Sequence, residues 1–200
     1  MPDKKEIIKQ CNLAFDFIQK LYLEVSYLIK EIEGVLGEHD FVIGRPSGYQ
    51  ITARSSSGLE PNGVNLWLLK RFAVFFAPKD KIVLERGQTK LSIEKPAKVL
   101  YVRVILNENN NPEPLIYSGV LYDIQKQPNA RWPVKFEQAM QHMQYTDEKI
   151  FKNNLMEIDY EDAYMGLKGK LIKNNLLDIN NGETIRDLIV KPSLELYEKY

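Results

Sequence analysis

Ile7, Cys11, Ala14, Ile18, Leu21, Val25, Leu28, Ile32 and Val35 recur at alternating spacings of 4 and 3 residues. A second row, Ile8, Phe15, Tyr22, Ile29 and Leu36, repeats every seven residues beside it. Only an α-helix puts such residues on one side. The pattern predicts a helix over about 6–36, roughly 45 Å long at 1.5 Å per residue. Gly34 and Gly37 supply its stop. The stripe is three rows wide, which suits burial against a sheet better than a slim coiled-coil seam. Leu13, Phe17, Leu23 and Tyr27 lie off the stripe. They point to further cover from a second subunit.

Strand signals follow. Residues 51–54 read as a short strand, and 72–76 as an aromatic strand that Pro78 ends. Residues 81–85 and 90–94 read as a hairpin around Arg86-Gly87-Gln88. Residues 99–106 are the clearest strand, rich in Val and Ile. Residues 115–124 are its antiparallel partner, because the loop between them is too short for a parallel crossover. A short helix is predicted over 136–145, a hairpin within 167–179, and a short helix over 184–190 that Pro192 ends.

Strands that cluster instead of alternating with helices imply an α+β fold. The expectation is one domain over 1–200. It has a long N-terminal helix packed on a mainly antiparallel β-sheet (about 41–127), then short C-terminal helices (about 132–200). A hydrophobic fraction of 44% and a charged fraction of 27% are those of an ordinary globular chain. The 27 basic and 27 acidic side chains cancel, which argues against a strongly basic nucleic-acid binder. No apolar run approaches the ~20 residues that span a bilayer. No cleavable signal pattern follows the charged start, so the cytoplasm is the default expectation and no membrane partner is implied.

Several chemistries lack their residues. One cysteine, Cys11, excludes an internal disulfide and a multi-Cys zinc site; on the stripe it reads as a small buried hydrophobe. The two histidines, His39 and His142, form no metal-binding spacing. Neither a GxSxG elbow nor a Walker A or GxGxxG loop occurs. No cofactor is implied.

Three patterns remain as candidates. Gly44-Arg45-Pro46-Ser47-Gly48 has the composition of an anion-cradling turn, with Arg45 as its charge. Glu157, Asp159 and Glu161 alternate on an extended segment and so face one way, as a Mg²⁺ site for phosphodiester chemistry would need. The plainer reading is a solvated acidic turn. Arg54, Arg71 and Arg103 each interrupt a β-prone run. With Tyr49, Trp67 and Tyr101 they would make a flat basic-aromatic surface fit for phosphate contact and base stacking, if the Tyr101–Arg103 face is solvated. Otherwise each arginine pairs with a nearby carboxylate such as Asp123.

A well-patterned core without a compact catalytic constellation favours a non-catalytic binding or assembly module over an enzyme. Its expected partner is another protein or a second copy of itself. The alternative is a phosphate- or nucleic-acid-handling enzyme that uses the arginine face and the acidic cluster.

Overall fold

The chain begins with an Asp3 side chain accepting from the Lys5 N–H, which caps helix α1, Lys4–Gly37. At 34 residues it is about 50 Å long. The structure is a computed structural model, and it describes residues 3–43, 50–51, 70–85, 88–91, 97–107, 113–128 and 156–200. Past Gly37 the chain turns through Asp40, whose φ of 59° is one that Asp tolerates. The Asp40 carbonyl then accepts from Lys79 N–H at 2.8 Å and ties the helix end to the sheet.

The strands are β1 (Phe41–Ile43), β2 (Gln50–Ile51), β3 (Arg71–Pro78), β4 (Ile82–Glu85), β5 (Gln88–Leu91), β6 (Ala97–Ile105), β7 (Leu115–Lys126), β8 (Glu157–Glu161) and β9 (Met165–Asn175). Among the described residues, six of them form an antiparallel sheet in the order β1-β3-β6-β7-β9-β8, and β2 also pairs with β3. Strands β4 and β5 form a hairpin as expected, but its second strand is Gln88–Leu91 instead of 90–94, with Gln88 paired to Glu85 and not in the turn. The α+β arrangement is therefore as expected from the sequence.

Period-2 alternation gives the sheet two faces, and both are core. Val74, Phe76, Leu100, Val102, Val104 and Ile116 pack with Val25, Ile29, Ile32, Val35 and Leu36 of α1. Ile185, Ile189 and Val190 from the C-terminal helical run join the same cluster. On the other face Ala73, Phe75, Val99, Tyr101, Ile105, Tyr117, Leu121, Leu167 and Leu171 form a second cluster. The buried Leu, Ile, Phe and Val side chains of either cluster contribute about 1.5–3 kcal/mol each.

Two elements depart from expectation. Residues 167–179 are not a hairpin. Strand β9 runs unbroken to Asn175, and its hairpin partner is β8, whose charges disguise it. Nor does Pro192 end the last helix. The run begins as α2 (Gly182–Ile185), widens to a π turn at Arg186–Val190, and continues as α3 (Lys191–Lys199). The wider turn gives room for the proline ring, and Lys191 N–H bonds back five residues to the Arg186 carbonyl. The helix expected over 136–145 lies outside the described residues.

Strand β7 carries a bulge. Between Tyr122 and Gln125 it spends one residue more than β9, and a shift also falls opposite β6. Asp123, with φ of 51°, sits in it.

Candidate functional site

The stripe of α1 is buried along only part of its length. Val25, Ile29, Ile32, Val35 and Leu36 are buried. Ile18, Leu21, Tyr22 and Leu28 are half-buried, so Ile18, Leu21 and Leu28 are less covered than a fully buried stripe requires. Every residue from Asp3 to Phe17 is exposed. On that side Tyr22 still turns inward, and its ring meets Phe72 edge-on at 5.5 Å. Beyond it, Ile7 (45%), Ile8 (51%), Phe15 (66%) and Phe17 (67%) face solvent. Cys11 is exposed as well, not buried, because nothing among the described residues covers that end of the stripe. Leu13, Leu23 and Tyr27 are exposed as their off-stripe positions implied.

The arginine candidates separate. Arg45, Tyr49, Arg54 and Trp67 lie outside the described residues. Arg71 and Arg103 do come together on one face: β3 and β6 pair Arg71 with Ile105 and Ala73 with Arg103, so the two arginines are diagonal neighbours. Tyr117 stands directly across from Arg103, and Lys173 across from Tyr117. The surface is not a solvated one, however. Arg103 is 3% exposed and Tyr101 4%, and Tyr101 belongs to the second core cluster. A face read as half-wet from one strand is interior in the folded chain, where it packs with Phe75, Tyr117 and Leu171 of neighbouring strands. Asp123 is on another part of the sheet and pairs with Lys168 at 3.3 Å.

The acidic residues do project to one side of β8, with Ile158 buried on the other. Strand β9 sets lysines against two of them: Lys170 lies opposite Glu157, and Lys168 opposite Asp159. Glu157 and Lys170 form an ion pair, and the carboxylate holds the ammonium pKa above its ordinary value. Glu161 accepts from the Gln127 amide at 2.7 Å. Among the described residues no three His, Cys, Asp or Glu side chains stand close enough to hold a metal. The arrangement is a cross-strand charge ladder, which supports the sheet edge and keeps it polar.

Comparison with protein-family models, curated proteins and solved structures finds no match to this chain. No helix among the described residues is long and apolar enough to cross a membrane. What the geometry offers is a surface: the projecting, apolar half of α1. Periodicity pointed to this helix, but not to the place along it where cover stops.

Proposed function

We propose that this chain is a non-catalytic binding or assembly module of the cytoplasm, acting in an oligomer or larger complex. The observation that carries the reading is the exposure of Ile7, Ile8, Phe15 and Phe17 on a helix whose other half is core. Apolar patches of this kind mark interaction surfaces, because leaving them in water forgoes about 25 cal/mol per Å². The test is affinity capture with the whole chain as bait, beside a Phe15→Glu/Phe17→Glu variant. A stoichiometric protein partner, or a second copy, retained by the first and lost by the second supports the reading. A chain that stays alone in both cases sinks it.

A phosphate- or nucleic-acid-handling enzyme is the second reading. Arg71 and Arg103 on one face favour it; the burial of Arg103 weighs against it. Fluorescence anisotropy with labelled oligonucleotides, and calorimetry with nucleotides, both at low salt, decide it. Binding that weakens as salt rises and falls on Arg103→Lys supports it.

A further inference from the structure

We infer that a single internal water links the hydroxyls of Ser118 and Ser193, between the sheet and the C-terminal helical run. Ser118 is 1% exposed and Ser193 3% exposed. Among the described residues neither Oγ has a hydrogen-bond partner. A buried hydroxyl gives up its bonds to bulk water, and folded chains nearly always provide a partner in exchange.

The fold brings the two serines to one place. Ser118 stands on β7 directly across from Val102 of β6 and Ile172 of β9. It therefore shares the sheet face of Val102, which α1 and the helical run cover. Ser193 follows Ile189 and Val190 at spacings of 4 and 3, so it lies on the stripe that those two bury against the sheet. Of the strands, α3 packs chiefly on β7. Three contacts fix its height. Asn174, level with Ile116 of β7, bonds the Leu188 carbonyl at 2.9 Å. Lys98 Nζ of β6 bonds the Tyr197 carbonyl at 2.7 Å. The rings of Tyr122 and Tyr200 stack at 4.9 Å. The run thus follows β7 from the level of Ile116 to that of Tyr122. Ser193 is about 7.5 Å past Leu188 along the helix. Ser118 is about 7 Å past Ile116 along the strand. The two serines stand at one height on facing surfaces.

The surroundings favour a water over any other partner. Val102, Val120, Ile189 and Val190 are buried nearby and offer no side-chain donor or acceptor. The hydroxyls do not bond each other, so a group between them is required. Serine is smaller than any of those neighbours, and two opposed serines leave a gap in a layer that is otherwise closely packed. A gap of about 10–15 Å³ holds a water that has two to four polar partners. The hydroxyls supply two, since each can donate or accept. The bridge gives α3 a polar attachment midway between those made by Asn174 and Lys98, and so fixes its height on the sheet.

Oxygen-17 relaxation dispersion on the whole chain counts long-lived internal waters. Ser118→Ala and Ser193→Ala should each lose one relative to wild type, and the double variant should lose that same one and no more. Thermal melts add a sign. A bridged hydroxyl helps to hold the helix down, so each single variant should lower Tm by about 2–4 °C. The double variant should lower it by less than the sum, because the two residues share one partner. A rise in Tm for either single variant overturns the inference, since removing a hydroxyl without a partner relieves its burial. Additive losses overturn it as well. So does an unchanged water count. Coupled losses with that count mean that the hydroxyls bond each other directly, and uncoupled ones that Ser193 turns back to the Ile189 carbonyl.

Discussion

The side-chain amide of Asn174 donates a 2.9 Å hydrogen bond to the backbone carbonyl of Leu188. In an α-helix that carbonyl would accept from residue 192, four residues on, and residue 192 is a proline without an N–H. Asn174 stands on β9 opposite Ile116, on the sheet face that the helices cover. A strand side chain thus supplies the donor that the helix lacks, and the helix continues through its proline. Asn174→Ala is expected to cost about 1–2 kcal/mol in urea melts. In a Pro192→Ala background the cost should shrink, because the new N–H can serve Leu188. Equal costs in both backgrounds would show that the two residues are not coupled.

The two halves of α1 should differ sharply in their effect on stability. Ile32 is fully buried, and Ile32→Ala is expected to destabilise the chain by about 2–5 kcal/mol. Phe15→Ala should stay within about 0.5 kcal/mol in the monomer, since Phe15 touches solvent and not the core. Denaturant melts at low concentration of chain compare the two.

Gly119 has φ of 155°, and a Cβ there would run into the carbonyl oxygen of Lys170 on β9. Backbone must move to admit any side chain, so Gly119→Ala is expected to cost more than about 2 kcal/mol. Gly34 meets no neighbour within 4 Å and lies inside α1. Gly34→Ala should raise stability by about 0.5–1 kcal/mol. Thermal melts of both variants would show opposite shifts.

Asp123 serves the β7 bulge through its backbone more than through its charge. Its ion pair with Lys168 is half-exposed on both sides and worth about 0–1 kcal/mol. Asp123→Asn keeps a residue that accepts φ of 51°, and should leave stability within about 0.5 kcal/mol. Asp123→Val puts a β-branched residue there and should cost about 1–2 kcal/mol. Equal losses would assign the effect to the ion pair.

Tyr197 sets the alkaline behaviour of the C-terminal helix. Its ring meets Phe41 edge-on at 4.9 Å, with Lys98 Nζ 4.1 Å from its centre. Burial first, and the Asp80 charge second, raise its pKa above the ordinary 10.0. The folded chain therefore holds this proton more tightly than the unfolded chain. The contribution is complete below about pH 10 and is lost as pH climbs through the higher folded value. Urea melts from about pH 9 to 11 should show wild type losing more stability than Tyr197→Phe.

Local periodicity was enough to determine α1 to its stop at Gly37, strands β3, β6 and β7, and the existence of the β4–β5 hairpin, though not the register of its second strand. Spacings of 3 and 4, β-branched runs and glycine turns act within a few residues, so they are written in sequence. The same logic placed Arg71 and Arg103 on one face. It could not say that the face is interior, because burial depends on strands brought together from distant parts of the chain. It offered β8 as an extended segment only beside the plainer reading of a polar turn, since the lysines of β9 that stand opposite Glu157 and Asp159 are contributed by the next strand. It stopped the last helix at Pro192, because the compensating donor, Asn174, is remote in sequence. Most of all, a stripe of constant pattern along α1 does not reveal where the sheet ends beneath it. That limit is set by the tertiary packing around Tyr22 and Val25, and it leaves Ile7, Ile8 and Phe15 bare.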